Sequence, residues 1–211
     1  MTSFRAALFD FDGVIGDTMH DNFHAWQHAL AAVEINLDQH EYFMLEGKRT
    51  IDLAQHLLRR HGRDVGLAEG IAIEKDRYYA AHNSFAFYPD AQVVVASLKQ
   101  RGMKVGLVTG ARRERAINER TTPFLSTFDT LVTSDDYGSG KPNPEPYLCA
   151  ARKLEVSASD CVVIENAPLG VQAAKAAGMY CIGVTSTVDA SYLEAADRVI
   201  QKIREVLDII K

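Results

Sequence analysis

From residue 89 onward the chain alternates short apolar runs with longer stretches of helical periodicity. Runs at 105–108, 130–132, 162–164, 181–184 and 199–200 read as strands. Stretches at 90–101, 144–154, 169–177 and 203–210 read as helices, with another helix expected ahead of residue 130. Strands that alternate with helices argue for a parallel sheet covered on both faces, since each parallel crossover needs a helix-length return. One more apolar run, 6–9, stands apart near the start and ends at Asp10. Between it and residue 89 the pattern is helical. Phe23, Trp26, Leu30 and Val33 recur at three- and four-residue steps, and Thr50 is placed to cap a helix carrying Ile51, Ala54, Leu57 and Leu58. Gly62 and Gly66 suggest a break before Ile71, Ile73, Tyr78 and Tyr79.

The predicted fold class is α/β: a three-layer Rossmann-like parallel-sheet core of residues 1–17 and 86–211, with a helical cap domain, 18–85, inserted after the first strand. The connections 13–18 and 84–89 make the insertion a candidate hinged lid. At 211 residues the chain can bury one core and a small accessory one. Its 47% apolar and 24% charged residues argue against disorder. A net charge of −5 without a basic stripe argues against a nucleic-acid partner. No apolar stretch reaches bilayer-spanning length, and Met1 to Arg5 lead straight into the first strand, so a cytoplasmic protein with no membrane partner is expected, monomeric or weakly dimeric. Cys149, Cys161 and Cys181 lack metal-ligand spacing and read as buried free thiols.

Chemistry concentrates where the strands should end. Asp10-Phe11-Asp12-Gly13 follows the first run, and alternation along a strand lets Asp10 and Asp12 converge while Phe9 and Phe11 pack elsewhere. Two carboxylates this close are tolerable with a cation between them or a proton on one. Both conditions suit phosphoryl transfer, in which one ionised Asp attacks phosphorus and the other shuttles a proton. Thr109 offers a hydroxyl, and the Gly110-Ala111 turn lets backbone N–H groups approach an anion. Lys141 sits in a loop stiffened by two glycines and two prolines, suited to neutralising a phosphate. Glu165 and Asn166 place two oxygen-bearing side chains after a very apolar run, suitable for Mg²⁺.

Asp10-x-Asp12-Gly13, Thr109, Lys141-Pro142 and Glu165-Asn166 resemble, in order and spacing, the four motifs of the haloacid dehalogenase-like hydrolase superfamily. The inserted helices resemble the cap of the branch that contains β-phosphoglucomutases and phosphoglycolate phosphatases. The resemblance implies a nucleophile at Asp10, a general acid/base at Asp12 whose carbonyl helps hold Mg²⁺, a phosphate-binding hydroxyl at Thr109 and a charge-stabilising Lys141. Glu165 and Asn166 fall on the metal-binding motif, so the implied metal set is Asp10, Asp12, Glu165 and Asn166. That motif usually reads Glu-Asp, and the amide here predicts a weaker metal site. Cap residues Glu46, Lys48, Arg49 and Lys75, together with Arg112 beside the Thr109 turn, are candidate substrate contacts. Glu46 could also approach the metal on closure and supply the charge that Asn166 lacks.

The implied function is a Mg²⁺-dependent phosphohydrolase working through an aspartyl phosphate on a small phosphorylated metabolite, a sugar phosphate or inorganic pyrophosphate. The alternative is a β-phosphoglucomutase-like phosphotransferase. The mutases carry a histidine in the first cap helix, where this chain has Asn22, which favours hydrolysis. His20, His24 and His28 share one helix face and are expected to be a polar surface rather than a metal stripe. Thr18 is expected to cap the helix that follows it.

Overall fold

The computed structural model describes residues 4–211, so the reading of Met1 to Ser3 lies outside the described residues. The fold is α/β. The main sheet is parallel and has six strands: β1 (Ala6–Asp10), β4 (Lys104–Val108), β5 (Thr130–Val132), β6 (Cys161–Glu165), β7 (Tyr180–Val184) and β8 (Arg198–Ile200), in the order β5-β4-β1-β6-β7-β8. β1 is central, with Asp10 opposite Val108 on one side and Phe9 opposite Ile164 on the other.

All five residues of β1 are buried, as a strand covered on both faces requires. Leu8 joins Val163 and Cys181 beneath α8 (Glu145–Leu154) and α9 (Pro168–Ala176). Phe9 joins Val162 and Ile164 beneath α5 (Ala91–Gln100), α7 (Thr122–Leu125) and α10 (Val206–Ile209). The three cysteines are buried and free. Among the described residues no helix is long and apolar enough to cross a membrane.

Four helices are inserted after β1: α1 (Met19–Ala31), α2 (Gln39–Leu45), α3 (Thr50–Arg60) and α4 (Ala68–His82). Their interior, including Trp26, Leu30, Leu57 and Ile71, runs into the apolar layer on the α8–α9 side of the sheet. The two connections pair with each other: β2 (Gly16–Asp17) is antiparallel to β3 (Ala86–Phe87). Strands of two residues are too short to show alternation, which is why this ribbon leaves no trace in the sequence pattern.

Three local expectations change. α3 begins at Thr50 itself, with Arg49 in the N-cap position and no side-chain capping bond. The helix expected before β5 is two one-turn pieces, α6 (Arg113–Ala116) and α7. The last helix starts as a 3₁₀ turn at Ile203–Glu205 before α10.

Candidate active site

After β1 the next main-sheet strand is β4 on one side, whereas β6 leads to β7 on the other. β1 and β6 therefore flank the point where strand order reverses, the crevice in which open α/β sheets hold ligands. Asp10 ends β1, and Glu165-Asn166 end β6. Beyond Asp10 the backbone curls tightly, the Phe11 carbonyl accepting from Ile15 N–H at 3.0 Å and Gly16 N–H at 2.8 Å. Gly13 has φ +92°, and a Cβ there would fall 2.1 Å from Asn166 Nδ2. Glycine thus lets this loop pass against the end of β6.

Asp10 and Asp12 turn to different partners. Lys141 Nζ donates to Asp10 Oδ1 at 2.5 Å and to Glu165 Oε1 at 2.6 Å. Glu165 Oε1 also accepts from the Tyr147 hydroxyl at 2.9 Å, and its Oε2 accepts from the N–H groups of Asn166 at 2.8 Å and Ala167 at 2.9 Å. Glu165 is fully engaged by protein donors and orients Lys141 toward Asp10. A Cβ on residue 170 would lie 1.6 Å from Glu165 Oε1, so this carboxylate position depends on Gly170.

Two buried carboxylates share one ammonium, which leaves excess negative charge. Burial raises the Asp10 carboxyl well above its ordinary range; Lys141 opposes this, while Glu165 and Asp12 reinforce it. Asn166 Nδ2 donates to Thr187 Oγ1 at 2.9 Å, and its Oδ1 is buried with no hydrogen-bond partner. An amide oxygen left unpaired costs about 1–3 kcal/mol. An undercompensated carboxylate and an orphaned oxygen at adjacent strand ends fit a hard divalent cation. Among the described residues no three His, Cys, Asp or Glu side chains are arranged to hold a metal, so such an ion would keep most of its waters, as Mg²⁺ does. Of the Glu165-Asn166 pair, Asn166 carries the free oxygen.

Asp12 is held from three sides. Thr18 Oγ1 donates to its Oδ1 at 2.6 Å, Asn22 Nδ2 donates to the same oxygen at 3.1 Å, and Arg115 grips both oxygens through Nη1 and Nη2. Burial alone would raise Asp12, but the Arg115 charge and these bonds bring it below its ordinary value. Thr18 does occupy the N-cap position of α1, yet its hydroxyl serves Asp12 and makes no capping bond.

Behind Asn22 lies Lys75, whose Nζ donates to Asn22 Oδ1 at 2.6 Å and Asp76 Oδ1 at 3.2 Å. Burial, with Arg115 nearby, brings Lys75 down to about 8. The unfolded chain therefore holds this proton more tightly than the folded one, and stability attributable to Lys75 should rise as pH rises from 8 towards 10.5. In urea melts the stability of the parent relative to Lys75→Met should improve by about 2 kcal/mol between pH 7.5 and 10. A difference that does not vary with pH would mean an unperturbed lysine.

Thr109 is buried at the end of β4, where its Oγ1 accepts from Ala111 N–H at 3.1 Å and its carbonyl accepts from the Tyr137 hydroxyl at 2.9 Å. The loop between α2 and α3 rests on this turn. A Cβ on Gly110 would fall 2.5 Å from the Lys48 carbonyl oxygen, and one on Gly47 would fall 2.9 Å from Lys141 Cδ. Glu46 and Lys48, with Lys75, Arg115, Gly110 and Ala111, line a small space of about 20 Å³, room for a single water. The insertion is closed on the core.

Not every candidate comes to this place. Arg112 is 40% exposed, pairs with Glu69 at 2.7 Å and lines, with Arg115, an open cleft beside the site. Arg49 pairs with Asp52 at 2.7 Å and lies over Gly140. Glu46 sits beside the Tyr42 hydroxyl, its carboxyl raised by burial and then by Asp12, with Arg115 and Lys75 opposing. Its neighbours are those of Asp12, not the orphaned oxygen of Asn166. His28 pairs with Glu74 at 3.0 Å and stacks on Tyr78, and His20 meets the edge of Phe43. Arg115, Tyr147 and Gly170, which hold or make room for Asp12 and Glu165, are positions that sequence reasoning misses. Arg115 is one of three arginines in four residues, and only the turn of the one-helix segment α6 separates it from Arg112 and Arg113.

The haloacid dehalogenase-like hydrolase model matches residues 7–184. Validoxylamine A 7'-phosphate phosphatase of Streptomyces hygroscopicus subsp. limoneus is 32% identical over 96% of this chain and 96% of its own. The fructose-1-phosphate phosphatase of Escherichia coli (strain K12) is 32% identical over 86% of this chain and 96% of its own. Among solved structures, a putative β-phosphoglucomutase from Bacteroides vulgatus superposes with a TM-score of 0.89 at 30% identity, over 98% of this chain and 87% of that one. The match runs through β7 and takes in the ends of β1, β4 and β6, where the buried Asp10, Thr109 and Asn166 sit, and on that ground the chain belongs to the haloacid dehalogenase-like hydrolase family.

Proposed function

We propose that this phosphatase hydrolyses the monophosphate of a small polyhydroxylated molecule, with Mg²⁺, through a phosphoryl group carried on Asp10. The observation that carries the reading is the contact of Lys141 with Asp10 at 2.5 Å at the sheet's reversal point, with Asp12 two residues away as a separate, independently held carboxyl. Lys141 fixes the Asp10 carboxylate and offsets the charge of an incoming phosphate. Asp10 attacks phosphorus, and the leaving oxygen takes a proton from Asp12. The Asp12 carboxylate then takes a proton from the water that attacks the phosphoryl-Asp10, releasing inorganic phosphate and restoring both groups. Asn166 and Asp10 would hold the Mg²⁺ ion, which when bound draws charge from the phosphoryl oxygens. Closure of the helical insertion keeps bulk water out of the site.

Two related phosphatases bear the names of phosphorylated polyhydroxylated substrates, which supports the substrate class. Asn22 supports hydrolysis over isomerisation. It stands where the mutases have a histidine, and its amide, bonded to Asp12 and Lys75, does not titrate and cannot relay a proton. The test is a panel of fructose 1-phosphate, hexitol phosphates, glycerol phosphate and inorganic pyrophosphate, assayed with Mg²⁺ for released phosphate. Phosphate release is expected to be fastest from the hexose and hexitol esters. Conversion of a hexose 1-phosphate to the 6-phosphate without phosphate release would make the protein a mutase. Preference for pyrophosphate would overturn the substrate class.

A further inference from the structure

Asp12 cannot hand over a proton while a cation holds both of its oxygens. Arg115 does so from a buried position, its side chain only 8% exposed and its guanidinium 5.3 Å from the Tyr79 ring. The Asp12 contact uses Nη1 and Nη2, whereas Arg115 Nε is buried with no partner. A buried donor left unpaired is costly, and Nε is the guanidinium nitrogen left to take an acceptor.

Arg115 also lines two spaces. One is the small space of about 20 Å³ beside Gly110 and Ala111. The other is a cleft of about 600 Å³, lined by Arg115 and Tyr79, between α4, the β2–β3 connection and the segment after β4. A cleft of that size accepts a small organic group. Its polar lining includes Asp76, Asn83 and Asn118 together with Arg112, Arg115 and Arg120. Amide, carboxylate and guanidinium groups around a cleft of that size suit the hydroxyl groups of a polyol skeleton.

We propose that Arg115 is a substrate-operated latch: it holds Asp12 in the empty, closed enzyme and releases it when the leaving group of a polyol monophosphate, lying in the outer cleft, presents its hydroxyl oxygens to the guanidinium. The proposal rests on the phosphatase reading of Asp12. The unpaired Nε–H makes the first contact. As the guanidinium turns towards the cleft it leaves Asp12, which is then free to take and give a proton. Binding energy from the non-reacting part of the substrate is thereby spent on assembling the site, so a truncated ester loses kcat more than KM. Arg115 acts through Asp12 and is a positioning residue.

The experiment compares kcat and KM for fructose 1-phosphate and ethyl phosphate in the parent, Arg115→Lys and Arg115→Met, with thermal melts to confirm folding. Both substrates have alkoxide leaving groups, so both need Asp12, but only the first reaches the outer cleft. The parent should prefer fructose 1-phosphate by about a hundredfold or more in kcat, on the scale of one assembled acid–base step. Arg115→Met should raise kcat for ethyl phosphate and lower it for fructose 1-phosphate, collapsing the preference, and Arg115→Lys should lie between. Equal loss on both substrates would leave Arg115 a structural residue and overturn the latch. An equal gain on both would make it an inhibitor that senses nothing, which also overturns the proposal. A parent that releases phosphate from neither ester would overturn the phosphatase reading, and the latch with it.

Discussion

Asp10→Asn should fold as the parent does and release phosphate at least about ten-thousandfold more slowly, the scale on which loss of a covalent nucleophile acts in other hydrolases. An amide is nearly isosteric with the carboxylate, so the contact with Lys141 keeps its shape, but its nitrogen and oxygen cannot form the acyl phosphate. Folding should not suffer, because Lys141 keeps Glu165 as its partner at 2.6 Å. The charge on Asp10 is in fact a burden, since burial raises its carboxyl well above the ordinary range even against Lys141. A raised folded-state value gives stability that is full below the unfolded value and lost as pH rises through the folded one. Without Mg²⁺, the stability of Asp10→Asn relative to the parent should therefore grow as pH rises from about 4, and level off once Asp10 is ionised in the fold. Phosphate release within a few-fold of the parent by the well-folded variant would remove Asp10 from the chemistry. A stability gap that does not change with pH would show that its charge is fully compensated.

What the sequence disclosed follows from where its signals are local. A strand buried on both faces is a short apolar run, and Asp10, Thr109 and Glu165-Asn166 each follow such a run directly. Their common location at one edge of the sheet follows from all the strands being parallel. The misses involve partners brought together from afar. Tyr147 reads as a core position of α8, and only the fold shows its hydroxyl on Glu165, 18 residues further on. Thr18 looks like a helix cap because it is one by position, but the curl after β1 carries Asp12 over the start of α1 and takes the hydroxyl away. Arg112 and Arg115 carry the same chemistry three residues apart; Arg112 finds Glu69 on the surface, and Arg115 is drawn inward by Asp12, 103 residues away. The order of strands carries no sequence signature of its own, so the crevice between β1 and β6 emerges only once the sheet is assembled.

The second large effect is expected at Lys141. Lys141→Met keeps the volume of the stem but removes the single cation shared by Asp10 and Glu165. Glu165 still has three donors: the Tyr147 hydroxyl and the N–H groups of Asn166 and Ala167. The term that held Asp10 down is lost, while burial and the Glu165 charge still push its carboxyl upward. Breaking a buried pair by deleting one partner costs about 3–5 kcal/mol, and that range is expected at pH 8 in the absence of Mg²⁺. Asp10 can escape the cost by taking a proton, so the sign of the pH dependence is fixed. Its folded-state value is raised, stability is recovered as pH falls through that value, and the deficit should shrink steadily towards pH 5. Activity should be lost across the whole range, because a protonated Asp10 is no nucleophile and an ionised one repels the phosphate. Adding Asp10→Asn removes the charge that Lys141 compensated, so the double variant should regain most of the stability that Lys141→Met lost, while remaining inactive. Mg²⁺ should narrow the deficit of the single variant and leave the double variant unchanged, since the ion acts on the same carboxylate. A deficit independent of pH, with Asp10→Asn adding nothing, would mean that Lys141 stabilises the fold by packing against Tyr147 and Gly47 and that its charge is irrelevant to Asp10.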